Sequence, residues 1–357
     1  MSFNLLKGKK GIIFGALNEQ SIAWKVAERA VEEGAEIVLT NTPVSLRMGT
    51  LNELAAKCNA PVIAADATSV ADLEHLVDEA MKHFGGPFDF ALHSIGMSPN
   101  VRKGRTYDDL DYDYLQKTLD ISAISFHKMI QVLRKKDALR EWGSIVALSY
   151  IAAQRTLYGY NDMADAKALL ESIARSFGYI YGREKHVRIN TVSQSPTPTT
   201  AGNGVLGLKD LMEFAESMSP LGNASANDCA DYVLTLFSDL TRKVTMQNLF
   251  HDGGFSSMGM SRRAMRTYEK GLRFEDVHEH QFPFGTGDNT EESGFGVERK
   301  GGGFHRGAAP PVLSPAPAIS AARRSRWDSD PRYKARRSRR RACGTTGTSC
   351  CARRGGR

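Results

Sequence analysis

The stretch Ser149-Tyr150-Ile151-Ala152-Ala153-Gln154-Arg155-Thr156-Leu157-Tyr158-Gly159-Tyr160-Asn161-Asp162-Met163-Ala164-Asp165-Ala166-Lys167 runs into a segment with a clear period. Apolar residues recur at Met163, Ala166, Leu170, Ile173, Phe177 and Ile180, and steps of three and four mark one buried helix face. Tyr160 and Lys167 stand seven residues apart, which on a helix puts them within about 20° of one face and about 10.5 Å apart along the axis. A lysine stem leans toward the start of its helix and covers much of that gap. A fixed ammonium favours the ionised form of a phenol, whose ordinary pKa is about 10. A phenol tuned in this way donates a hydrogen bond or a proton to an oxygen that becomes negative. A rim tyrosine and a solvated lysine on a plain surface helix have the same spacing, so the flanking sequence has to decide.

Immediately upstream, Gly143 to Ser149 is an apolar run that reads as a strand with Tyr150 at its tip. Further out the pattern repeats. Gly11 to Phe14 is a strand closing at Gly15, and Ile22 to Val31 continues with helical spacing after Ser21. A glycine at a strand end lets backbone approach a ligand, and the free amides of the following helix can meet a pyrophosphate. The familiar three-glycine fingerprint is absent, so this turn alone is a weak signal. Gly34 to Thr40 gives a second strand, ending in Thr40-Asn41-Thr42 without the acid that often holds an adenosine ribose. Pro61 to Asp66 reads as a third strand, Val70 to Phe84 as a helix and Phe88 to Gly96 as a fourth strand. Thr118 to Leu133 reads as one long helix, Val187 to Val192 as a sixth strand, Asp228 to Ser238 as a helix, and Met246 to His251 as the last strand. Between them Ser193-Gln194-Ser195-Pro196 breaks the sixth strand, and Leu206 to Met218 has the short helical spacing of a cover over a site. Short apolar runs alternating with helical patterns predict an α/β, Rossmann-like, doubly wound parallel sheet of about seven strands with a small lid. Gly15, Asp66, Gly96 and Tyr150 then converge on one sheet edge.

Charge is unevenly spread. Residues 273–357 hold 15 Arg and 2 Lys against 9 acids, whereas 1–272 hold 30 basic and 31 acidic residues. The formal net charge of +7 therefore belongs to the tail and does not mark the body as a nucleic-acid binder. Cys58 and Cys229 are the body's cysteines, which fits a reducing, cytoplasmic setting and no disulfide framework. The start carries no apolar signal region, no apolar run is long enough to span a bilayer, and no metal ligand is assigned. We expect one Rossmann-type domain over 1–272. Residues 273–357 form an Arg-, Gly- and Pro-rich tail with no sustained apolar period, too little to offset the entropy of ordering. Such a tail reads as a disordered basic segment that binds RNA or membrane phosphates, as a stretch translated out of its natural frame, or as an unusual regulatory extension.

The chain from about Gly8 to Leu272 resembles the bacterial enoyl-acyl-carrier-protein reductases of the NADH-dependent, short-chain-dehydrogenase-related type. The resemblance rests on Gly15 with Ser21-Ile22-Ala23, His93-Ser94-Ile95-Gly96, Ser149-Tyr150, Tyr160-Asn161 with Met163, Ala166 and Lys167, Pro196, and His251-Asp252-Gly253-Gly254-Phe255-Ser256. Ordinary short-chain dehydrogenases place the lysine four residues after the tyrosine. In this sequence it comes seven after, and Tyr150 stands where those enzymes use serine. The resemblance implies reduction of a trans-2-enoyl thioester carried on acyl carrier protein, with Tyr150, Tyr160 and Lys167 as the catalytic set. It implies NADH as cofactor, with NADPH not excluded, met by Gly15, Ser21 and Ile22 at the pyrophosphate and Thr42, Asp66 and Ala67 at the adenosine. Ile95, Gly96 and Lys167 would meet the ribose, and Thr197, Pro198, Thr199, Thr200 and Ala201 the nicotinamide amide. Ser98, Tyr150 and Met163 would line the substrate pocket. A homotetramer is implied too. In the cover, Lys209 is present but Met212 and Glu213 weaken the cationic patch expected to meet an acidic carrier protein. A short-chain reductase acting on a carbonyl, or a nucleotide-binding protein without catalysis, are the alternatives.

Overall fold

The apolar runs become six parallel strands in the computed structural model, which describes residues 2–199 and 208–273, all within one unit of the chain, Met1–Glu291. The strands are β1 (Lys10–Phe14), β2 (Glu36–Thr40), β3 (Phe88–His93), β4 (Leu139–Ser149), β5 (Arg188–Gln194) and β6 (Asn248–His251), in the order β2-β1-β3-β4-β5-β6. The helices are α1 (Ile22–Glu32), α2 (Pro43–Met48), α3 (Leu51–Cys58), α4 (Val70–Phe84), α5 (Pro99–Arg102), α6 (Tyr112–Leu119), α7 (Ser125–Lys135), α8 (Asn161–Lys185), α9 (Leu208–Met218), α10 (Ala226–Phe237) and α11 (Arg262–Arg273).

Neighbouring residues of one strand end in different cores. Ile12, Ala91, Ile145 and Ala147 pack with Leu76, Phe126, Leu133, Leu170 and Phe177 from α4, α7 and α8. Ile13, Leu92, Val146 and Leu148 pack with Val26, Ala30, Val233 and Phe237 from α1 and α10. Successive side chains of a strand point to opposite faces, so a strand that is apolar throughout is one covered on both sides. Phe90 and Phe237 stack at 4.4 Å across the second core, and burying a side chain of that size contributes about 1.5 to 3 kcal/mol.

Three local readings change. The stretch from Pro61 to Asp66 is a single bridge, Val62 to Leu39, held to the β2 edge by Leu39 N–H to Pro61 O, Ile63 N–H to Leu39 O and Ala65 N–H to Asn41 O. Among the described residues the sheet therefore has six strands, close to the seven or so expected; Pro61 has no N–H to give and the alanines little to bury. The helix expected from Thr118 to Leu133 is interrupted by a π-helical turn at Asp120–Ile124. Ser122 leaves the helix face to bond the Met97 backbone and Ser125 to meet His93 Nε2 at 2.8 Å, tying the turn to the end of β3. Finally, α11 stands where no helix was expected.

The sheet order also fixes where a ligand can enter. From β1 the chain moves outward to β2 and then returns to place β3 on the other side of β1. The carboxyl ends of β1 and β3 thus flank a crevice, the usual binding position in open parallel sheets.

Candidate active site

Gly15 follows β1 at φ +91°, and a Cβ there would sit 2.1 Å from the Ser94 carbonyl oxygen, so the turn closes only with glycine. Ser21 caps α1 in sequence position, yet its hydroxyl donates to Asn18 O at 2.7 Å and accepts from Leu17 N rather than from the helix. The first amides of α1 are therefore left without a side-chain cap beside a cavity of about 240 Å³ that Gly15, Ser21 and Ile22 help to line. Free amides and the positive end of a helix dipole suit a phosphate. On the opposite wall, a Cβ at Gly96 would fall 3.2 Å from Met163 Cε and 3.7 Å from Lys167 Nζ, so the glycine keeps open a cradle in front of the lysine. These are features that a dinucleotide fits.

Lys167 is 7% exposed, and its Nζ donates to the Leu148 carbonyl at 2.7 Å. Burial pulls its pKa down to about 8, against the opposing pull of Glu171 one helical turn later. Glu171 is itself 4% exposed and accepts from Ser149 Oγ at 2.7 Å and from Gln154 Nε2 at 2.9 Å. One carboxylate thus ties α8 to the segment that carries Tyr150 and counters the charge of Lys167. The Tyr150 and Tyr160 rings lie 4.8 Å apart, tilted by 48°. The buried Tyr150 hydroxyl has no partner among the described residues. Its pKa is pushed up by burial first, then by Tyr160 and Asp252.

Tyr160 sits at the residue before α8, and burial pushes its phenol pKa up as well. The expectation that Lys167 favours an ionised Tyr160 is therefore corrected: both phenols keep their protons across the neutral range and are hydrogen-bond donors. An unpaired buried donor costs about 1 to 3 kcal/mol, and such a group at a cavity wall is one whose partner arrives with a ligand.

Of the residues expected at the site, Gly15, Ser21, Ile22, Ile95, Gly96, Ser98, Tyr150, Tyr160, Met163, Lys167, Thr197 and Thr199 line this cavity. Ser98 does so with its hydroxyl already committed, donating to Asp162 Oδ1 at 2.6 Å and accepting from Val101 N as the cap of α5. Thr42, Asp66, Ala67 and Pro198 lie off the lining. Thr42 caps α2 through Ser45, and Asp66 folds its own turn by accepting from Thr68. Thr200 and Ala201 fall outside the described residues.

The sequence pattern did not single out Glu171, for which the four-residue step from Lys167 was an available signal. Nor did it single out Gln194, whose amide donates to Ala224 O at 3.1 Å and whose carbonyl oxygen meets His251 Nδ1 at 2.8 Å. That pair of contacts fixes the turn before Pro196.

Comparison with known proteins agrees with this geometry. A family model described as "Enoyl-(Acyl carrier protein) reductase" matches residues 15–256. The chain is 31% identical over 258 residues to the "Enoyl-[acyl-carrier-protein] reductase [NADH] 2" of Rhizobium meliloti (strain 1021), covering 72% of this chain and 94% of the relative. It is 32% identical over 267 residues to the "Enoyl-[acyl-carrier-protein] reductase [NADH] FabI" of Rickettsia felis, covering 73% and 100%. A crystal structure of a FabI-NADH complex from Alistipes finegoldii is similar at 86% identity and a TM-score of 0.74, covering 79% of this chain and 100% of that one.

Proposed function

The chain belongs to the enoyl-(acyl carrier protein) reductase family, and from that premise we propose how its residues divide the work. The protein is an NADH-dependent enoyl-[acyl-carrier-protein] reductase, reducing the trans-2 double bond of an enoyl thioester in the last step of the fatty acid elongation cycle. When bound, NADH supplies the hydride that the β-carbon of the thioester accepts.

Tyr160 donates a hydrogen bond to the thioester carbonyl oxygen, where negative charge gathers as the double bond is reduced. A donor aimed at developing charge stabilises the transition state more than the substrate. Tyr150, with its hydroxyl unpaired beside the Tyr160 ring, orients the same thioester and excludes water from it. Lys167 holds the ribose hydroxyls next to the nicotinamide and keeps a positive field at the site while it stays protonated. Met163 and the carbon atoms of Ser98 pack the acyl pocket. Gly15, Ser21 and Ile22 would take the pyrophosphate and Ile95 and Gly96 the ribose, with Thr42, Asp66 and Ala67, outside the cavity lining, left for the adenosine. Thr197 and Thr199, which line the cavity, would hold the nicotinamide amide.

The observation that carries these assignments is that Tyr150, whose buried hydroxyl has no partner among the described residues, lines the same cavity as Tyr160 and Lys167. We also infer that acyl carrier protein delivers the substrate, that the protein works as a homotetramer in the cytoplasm, and that residues 1–272 suffice as the reductase domain. The assay is consumption of NADH with a crotonyl thioester, run beside Tyr160→Phe. Oxidation by the wild type that collapses in the variant supports this division of roles; equal rates refute the role of Tyr160.

A further inference from the structure

Asp162 lies two residues after Tyr160, in the first turn of α8, and is 0% exposed. No step of the chemistry above uses it. Its Oδ1 accepts from Ser98 Oγ at 2.6 Å, and its Oδ2 accepts from Asn100 Nδ2 at 2.9 Å and lies 2.8 Å from Thr118 Oγ1. All three partners are buried too, and they come from the cap of α5, from α5 itself and from α6. A carboxyl group this deep is costly unless its oxygens are fully bonded, and the positive end of a helix suits an acid in its first turn.

The partners are committed in their turn. Asn100 donates its other amide hydrogen to Asp111 O at 3.1 Å and accepts from Asp111 N at 3.1 Å. Ser98, having given its proton to Asp162, accepts from Val101 N at 3.0 Å. Two more ties run alongside: Asn161 Nδ2 donates to Arg105 O, and Tyr107 Oη donates to Asp165 Oδ2 at 3.2 Å. The chain from Ser98 to Thr118 is thus fastened to the start of α8 by polar side chains. That same chain supplies Ser98, Val101 and Arg102 to the cavity lining. With Tyr150 and Tyr160 the lining also holds Met97, Met163 and Leu211, which with Val101 make an apolar group suited to hydrocarbon.

We propose that Asp162 is a positioning residue for the acyl pocket, holding the α5 wall at a fixed distance from Tyr160 and so determining how well long acyl chains bind. The proposal rests on the reductase reading and adds a specificity-determining residue to it. Val101 reaches the pocket from a helix of one turn, too short to hold its shape unaided. Its amide is held by Ser98, and Ser98 is held by Asp162, so a change at the carboxyl group reaches the wall through two hydrogen bonds. A crotonyl chain asks little of that wall, and a dodecenoyl chain much.

The test is steady-state kinetics of the full chain with crotonyl and dodecenoyl thioesters, for the wild type, Asp162→Asn and Asn100→Ala. Asp162→Asn keeps the shape of the side chain but sets amide hydrogens against those of Asn100. Asn100→Ala breaks the same contact from the other side, leaving α8 intact, and Asn100 lies outside the cavity lining. We expect KM for the dodecenoyl thioester to rise about fivefold or more in each variant, with KM for the crotonyl thioester, both kcat values and NADH affinity within about twofold of wild type. The two substitutions together do no more than the larger one alone, since they remove one shared interaction. A dodecenoyl KM that does not rise overturns the proposal. So does an equal loss on both thioesters, a fall in NADH affinity, or failure of both variants to fold, each of which makes Asp162 a brace of the fold at large. If the wild type reduces neither thioester, the reductase reading itself fails.

Discussion

Lys167 holds an ammonium where burial opposes one, and this makes the site sensitive to pH. Its pKa, lowered to about 8, means the charged form is held below that pH and lost as pH rises through it. Other titratable groups near the site do not change charge in that window. His93 is buried neutral with its pKa pulled down to about 3, and both Tyr150 and Tyr160 stay protonated. Asp252 faces Tyr150. Glu171 is the group that counters the ammonium, so Glu171→Gln should bring Lys167 down further. NADH affinity, followed by fluorescence across pH, should fall with an alkaline limb near pH 8 in the wild type and at lower pH in Glu171→Gln. A limb at the same pH in both proteins would show that Glu171 is a packing residue only. At this scale the pattern of a strand tip, two tyrosines and a lysine was enough to place Tyr150, Tyr160 and Lys167 beside one cavity. It could not show how far burial raises the two phenols, because desolvation depends on what packs around a group and leaves no trace in spacing.

The elements that position these residues fail at single atoms. Gly15 combines φ +91° with a Cβ site 2.1 Å from a backbone carbonyl that has no freedom to give way. Gly15→Ala should therefore open the β1 to α1 turn, lower stability by about 1 kcal/mol or more and abolish NADH binding. Denaturant titration and NADH fluorescence check both effects, and a variant that binds NADH normally would show that the turn does not carry the pyrophosphate. Strands and long helices were legible in order and close to their ends, since apolar runs and steps of three and four follow directly from burial. The bridge at Val62 and the π turn at Asp120–Ile124 were not. One depends on which edge Pro61 meets, the other on Ser122 and Ser125 reaching to β3 across the chain. α11 escaped notice because a helix exposed on nearly all sides has no apolar stripe to read.

Over the described residues, two cores lie on the two faces of one sheet, and a smaller third one gathers Tyr150, Ile151, Ala152, Ala215, Met218 and Phe255. The family match ends at residue 256, and the Alistipes structure covers 79% of this chain. A chain ending at Leu272 should keep its stability and its rate on a small thioester; a loss of either would give the basic tail a part in the enzyme. Among the described residues no helix is long and apolar enough to cross a membrane. The role proposed for Tyr160 is donation to the thioester oxygen as charge builds there. The most direct measurement is kcat of Tyr160→Phe at saturating NADH and enoyl thioester, with NADH affinity measured in parallel. We predict a fall of about 10² to 10³ in kcat with NADH affinity unchanged, the signature of one lost donor at a developing oxyanion. A kcat within a fewfold of wild type, or a loss explained by weaker NADH binding, would contradict it.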